Sequence, residues 1–239
     1  MASVTTTRTV TPAPTRFRQR YDAGEVPVRV AHGGGANAIA WRVDPAALDA
    51  RVYLPLFIDG VRETTHPYRL LAVRGGMELT RACGERALLE TLPRVVLPLK
   101  DALNTGDPAV IAVTLELLVE FVRASRAVGE ALVPYYRQIL PRLNALKDVD
   151  DVFVSLVDLS DGRSWRERRG HRRDDDGAND DDTAMLPRET ELIGRGRSKR
   201  NIGSLVRRAL RALERRGGAD ALANIKYQIP TYRSCARVE

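Results

Sequence analysis

The 239-residue sequence predicts an all-α fold in which helical hairpins stack into a solenoid behind a short N-terminal β-hairpin. Three observations predict it. Helix-opening and helix-closing residues recur along the chain after residue 43, the apolar residues between them keep a helical period, and alternating apolar positions cluster before that point. A hydrophobic content of 44% is enough for a sizeable core in a chain of this length.

Residues 1–20 are rich in Thr, Pro and Arg and hold no acidic residue. They show neither helical nor strand period, so they read as a basic arm that orders only against another surface. Arg8, Arg16, Arg18 and Arg20 carry its charge, with Phe17 as a candidate anchor. Val26, Val28 and Val30, then Gly33-Gly34-Gly35, then Ile39, Trp41 and Val43 form two period-2 runs around a glycine turn, which predicts a hairpin over 26–43. The glycines are not read as a phosphate loop, because no GxGxxG and no following Lys-Ser/Thr accompanies them.

From there Asp44-Pro45 and Asp107-Pro108 pair an N-cap with proline at the first helical position. Gly60, Gly75-Gly76, Gly84, Gly106, Gly129 and Gly217-Gly218 fall where helix stops are expected. Together these predict helices over 45–59, 67–74, 77–82, 85–103, 108–127, 131–146, 202–216 and 219–225. The helix at 108–127 is apolar nearly all round and therefore central. The one at 202–216 sets Ile202, Leu205, Val206, Ala209, Leu210 and Leu213 on one face and leaves Arg207, Arg208, Arg211 and Arg215 outside. A solvated face is the plainer account of that basic stripe, and a contact surface the functional one. Inner apolar faces without sustained heptads fit hairpins of the armadillo or HEAT kind, with a compact helical bundle as the competitor.

Residues 148–197 break the pattern. An apolar run, an Arg-rich cluster, the triplets Asp174-Asp175-Asp176 and Asp180-Asp181-Asp182 and a final GRGRSKR follow one another, and such like-charge blocks resist packing. They predict a charged insertion between two helices of one domain spanning 21–239. The triplets lack the ligand spacing, central Gly and closing Glu of a calcium loop.

The balance of 38 Lys+Arg against 31 Asp+Glu gives a formal charge of +7, which favours a polyanionic partner: nucleic acid, an anionic membrane or an acidic protein surface. No apolar stretch is long enough to span a bilayer and the N-terminus lacks the apolar centre of a signal peptide, so a cytosolic, membrane-free protein is expected. No nucleic-acid motif is present, and charge alone supports that class. Cys83 and Cys235 lie far apart without a CxxC, the three histidines are scattered, and no GxSxG or HExxH occurs. Neither catalytic residues, nor a metal site, nor a cofactor is expected, and the chain reads as a binding protein rather than an enzyme.

Whole phrases of the sequence, FRQRYDAGEVPV (17–28), NAIAWRV (37–43), YLPLFIDGVRE (53–63), ALVPYYRQILPRLNALK (131–147), RGGADALANIKY (216–227) and IPTYRSC (229–235), resemble the parkin co-regulated protein family. The resemblance covers roughly 16–147 and 198–235, with a shorter N-terminal arm and a longer 148–197 linker than the family's. It implies an armadillo/HEAT-like α-solenoid in the cilium or flagellum, at the inner junction of axonemal doublet microtubules. The implied partners are α/β-tubulin, a small β-rich inner-junction protein and other microtubule inner proteins. On this basis Arg8, Arg16, Phe17, Arg18, Arg20, Arg207, Arg211 and Arg215 are expected at tubulin. Tyr135, Tyr136, Arg137, Tyr227, Tyr232 and Arg233 are expected at protein contacts, and a soluble helical scaffold outside the axoneme is the alternative.

Overall fold

The computed structural model describes residues 13–31, 38–155 and 199–235. Its first element is a helix, α1 (Arg16–Asp22), capped by the Thr15 hydroxyl on the Arg18 N–H. Phe17 is fully buried on that helix, so the arm boundary expected at residue 20 falls inside a packed element. A short hairpin follows, β1 (Val28–Val30) with β2 (Ile39–Trp41), antiparallel, with Val28 opposite Trp41 and Val30 opposite Ile39. The glycine turn expected at 33–35 lies outside the described residues.

Asp44-Pro45 does open a helical turn, but only a 3₁₀ turn, Pro45–Ala47. A second cap, Asp49, starts α2 (Ala50–Gly60). Then come α3 (Tyr68–Ala82), α4 (Glu85–Leu103), α5 (Pro108–Ala124), α6 (Arg126–Leu132) and α7 (Tyr136–Leu146). The strand β3 (Phe153–Ser155) pairs antiparallel with β4 (Lys199–Asn201), which closes the base of the charged insertion before α8 (Ile202–Arg216) and α9 (Ala221–Gln228). The Asp triplets and GRGR of the insertion lie outside the described residues.

Two expected stops are not stops. Gly75 and Gly76 sit inside α3, which runs unbroken where two helices were expected, and Gly129 sits inside α6. In each case the missing side chain makes room for a neighbour. A Cβ on Gly75 would collide with the ring of Phe57, and one on Gly129 with the backbone of Arg216. Gly106 and Gly218, by contrast, have φ of 76° and 69°, the left-handed conformation that ends a helix at little steric cost.

The helices form two layers. Arg51 at the start of α2 faces Glu90 of α4 at 3.8 Å, so these two helices lie side by side. The chain reverses through α5, and α6–α7 then runs back along α4 until Arg142 Nε donates to the Leu103 carbonyl at 3.0 Å. Next, α8 returns antiparallel to α7, with Arg207 Nη1 on the Lys147 carbonyl at one end and the Tyr136 hydroxyl on the Leu213 carbonyl at the other. The first layer is therefore α2, α4, α6–α7 and α9, and the second is α3, α5 and α8. That alternation is what stacked helical hairpins produce, in keeping with the armadillo/HEAT-like expectation. The centre is α5, with Val110, Ile111, Val113, Leu115, Leu117, Leu118, Phe121 and Val122 all buried, and one continuous apolar cluster extends from Phe17 to Ile229.

Candidate protein-interaction face

Two layers give two outer surfaces, and their charges are used differently. On the α3–α5–α8 side several cations are bonded within the protein, the exceptions among the described residues being the exposed Arg216 at the end of α8 and the buried Arg69 of α3, whose Nε and Nη2 have no partner. Arg81 meets Glu120 at 2.7 Å, Arg208 meets Glu116 at 2.5 Å, and Arg207 reaches Asp150 at 3.0 Å as well as the Lys147 carbonyl. Arg211 and Arg215 are engaged too. The basic stripe expected on this helix thus serves cohesion first, since a partner would have to compete with bonds already made.

The arm residues are tied down in the same way. Backbone N–H groups of Thr15 and Arg16 donate to Glu63 and Asp59, both at 2.9 Å, so two carboxylates close the N-terminus of α1. Arg18 lies 4.6 Å from the centre of the Tyr68 ring and 3.7 Å from Glu63, and Arg20 pairs with Glu25 at 3.4 Å. The Phe17 ring lies tilted 5.4 Å from that of Phe57, which in turn lies 5.6 Å from Trp41. Phe17 is therefore a core residue and not an anchor for another surface. Arg16 keeps an exposed side chain, and Arg8 lies outside the described residues.

The α4–α7–α9 side is different. Lys100, Arg137, Lys226 and Arg233 are exposed and have no ion partner among the described residues. Their helices explain it: α7 (YRQILPRLNAL) and α9 (ALANIKYQ) contain no acidic residue, so no carboxylate is on hand for an i,i+4 pair. Between these cations stand Leu97, 59% exposed, and Tyr227, 83% exposed. The carboxylates nearby on α4 are Glu90, shared between Arg51 and Arg86, and the exposed Asp101 at its last turn.

Of the expected contact residues, Arg137, Tyr227 and Arg233 stand on or beside this face. Tyr136 does not. It is fully buried, and burial pushes its hydroxyl pKa well up while its proton goes to the Leu213 carbonyl at 3.0 Å. Tyr135 is half-buried against the core, and the Tyr232 hydroxyl donates to Glu214 at 2.8 Å. Glu214 also accepts from the Ser234 hydroxyl, the Cys235 N–H and the Cys235 thiol. Burial alone would raise its pKa, but these four donors outweigh it and hold the carboxyl at about 2. The C-terminal tail is thereby pinned to α8.

Lys100, Leu97 and Lys226 were not anticipated as contact residues. Leu97 lies in one of the repeated phrases Leu-Pro-Leu at 54–56 and 97–99 and Leu-Pro-Arg at 92–94 and 140–142, all on helices of the first layer. Such in-helix prolines cannot donate to the carbonyl four residues back, and for Pro55 the Arg94 guanidinium approaches that carbonyl, of Arg51, at 3.4 Å. Among the described residues no group of three or more His, Cys, Asp and Glu could hold a metal ion, and no helix is long and apolar enough to cross a membrane.

A model of the Parkin co-regulated protein family matches residues 15–174 and 186–234, beginning at the α1 cap and interrupted only within the Asp-rich run. The chain belongs to the Parkin co-regulated protein family. It is 38% identical over 222 residues to the mouse Parkin coregulated gene protein homolog, across 93% of this chain and 77% of that protein. The match to the Parkin co-regulated family takes in Thr15, Arg16 and Phe17, in agreement with their place in the fold.

Proposed function

We propose that this chain is a structural, non-catalytic microtubule-associated protein of the ciliary or flagellar axoneme. It bridges the A- and B-tubule at the inner junction of the doublet by binding tubulin, a small β-rich inner-junction protein and other microtubule inner proteins. The observation that carries this reading is the unpaired positive charge on one flank of a stacked-helix body. Tubulin surfaces are acidic, free cations are drawn to them at long range, and a layered helical stack offers an extended face for several contacts at once. Contacts repeated along a lattice add avidity to each weak site. A role as a helical scaffold elsewhere is favoured by Leu97 and Tyr227, whose exposure suits any apolar protein partner.

Co-pelleting with axonemal doublets and with singlet microtubules over a series of salt concentrations tests the proposal, together with the position of a tagged copy in a flagellated cell. Salt-sensitive binding to doublets and an axonemal signal are expected. A protein absent from purified axonemes overturns it.

A further inference from the structure

We infer that the α4–α7–α9 face docks an acidic protein segment that also carries an apolar side chain. The inference rests on the reading that this chain acts by binding, and it adds the face and the chemistry of what binds there. Three features combine in it. The cations Lys100, Arg137 and Lys226 come from three successive helices of one layer, and Arg233 extends them into the tail. They are exposed and unpaired among the described residues, whereas Arg81, Arg207, Arg208, Arg211 and Arg215 of the opposite layer are bonded internally. Leu97 and Tyr227 stand exposed among them, large apolar side chains that a well-hydrated polyanion would not need.

The geometry is shared, because α4 contacts α7 and α7 contacts α9. The Arg142–Leu103 bond brings the last turns of α4 beside α7. At the other end of α7, a Cβ on Gly217 would touch both the Tyr136 hydroxyl and Ala221, which sets the start of α9 beside the start of α7. A segment crossing the three helices meets positive charge at each step and an apolar contact near each end. Acidic residues supply the complement to the cations, and one aliphatic or aromatic side chain against Leu97 or Tyr227 supplies the area that charge alone lacks. Asp101 beside Lys100 sets a limit on one edge, since a carboxylate approaching there is repelled.

The test uses the full chain and a fluorescein-labelled polyglutamate peptide carrying one leucine, read by fluorescence anisotropy. The triple change Lys100→Glu, Arg137→Glu, Lys226→Glu should weaken binding by about tenfold or more, and Leu97→Ser by about threefold, with both variants melting like the parent because these side chains are exposed. Arg42→Glu, an exposed cation on the hairpin side, should leave affinity unchanged. Binding by the triple variant within about twofold of the parent overturns the inference. So does a single-stranded oligodeoxynucleotide that binds as tightly as the peptide and ignores Leu97→Ser, because that is a polyanion site. Peptide binding lost in the triple variant supports the docking face even if the variant still co-pellets with doublets, which would place the tubulin contact elsewhere. Peptide binding retained defeats it, even if axonemal location persists.

Discussion

The Tyr136 hydroxyl donates to the carbonyl of Leu213 at 3.0 Å, joining two helices whose residues lie on opposite sides of the charged insertion. Because Tyr136 is fully buried, this bond and the ring's packing fix α8 and α9 to the body that precedes the insertion. Tyr136→Phe removes the donor and keeps the ring, and is expected to cost about 1 kcal/mol. Tyr136→Ala should cost about 3–5 kcal/mol, as for other large aromatic truncations. Urea unfolding followed by circular dichroism measures both, and equal costs for the two variants would refute the division between bond and ring.

Gly75 lies in mid-helix, where alanine ordinarily stabilises by roughly 0.5–1 kcal/mol. Here the sign should reverse. The Phe57 ring occupies the space a Cβ would need, so Gly75→Ala is expected to destabilise by about 1–3 kcal/mol. Adding Phe57→Leu should recover part of that loss, and a double-mutant cycle on thermal unfolding reads the coupling.

The N-terminal helix offers a truncation test. Removing residues 1–12 should leave the melting temperature within error, whereas removing residues 1–23 strips Phe17 from Phe57 and leaves Asp59 and Glu63 without the N–H groups they accept. The longer deletion is expected to cost several kcal/mol, about the value of a buried aromatic or more, and to expose apolar surface that binds a hydrophobic dye. Equal melting of the two truncations would return α1 to the status of an arm.

Glu214 sets the acid limb of stability at the C-terminal end. Its carboxyl is held at about 2 in the folded protein, below its unfolded value near 4.5. A depressed folded pKa contributes stability that is fully present above the unfolded value and is lost as pH falls from about 5 toward 2. The stability gap between the parent and Glu214→Gln should therefore be constant near neutral pH and shrink over that window. A gap independent of pH, measured by chemical unfolding at a series of pH values, would show that the tail is held by packing and not by the carboxylate.

Much of the helical skeleton was legible in the residues. The helices at 85–103 and 202–216 have the boundaries their apolar period and flanking residues predicted, and Asp107-Pro108 opens α5 as a cap followed by proline should. The family was legible as well, through whole phrases along the chain that resemble it. Glycine misled where proximity mattered: Gly75 and Gly129 carry the same local signature as Gly106, yet the first two make room for packing and the last turns the chain. Local sequence does not distinguish these uses, because the deciding atom belongs to a residue far away in the chain.

The same holds for charge. By itself the sequence determined the total excess of positive charge, the basic stripe of α8 and the absence of acids in α7 and α9. Only the tertiary structure decided which cations are spent inside the protein and which remain available, by bringing Glu116 to Arg208 and Asp150 to Arg207 while, among the described residues, bringing no carboxylate to Arg137 or Lys226. A composition counts charges, but whether a cation is free depends on the distance to the nearest carboxylate, and folding sets that distance.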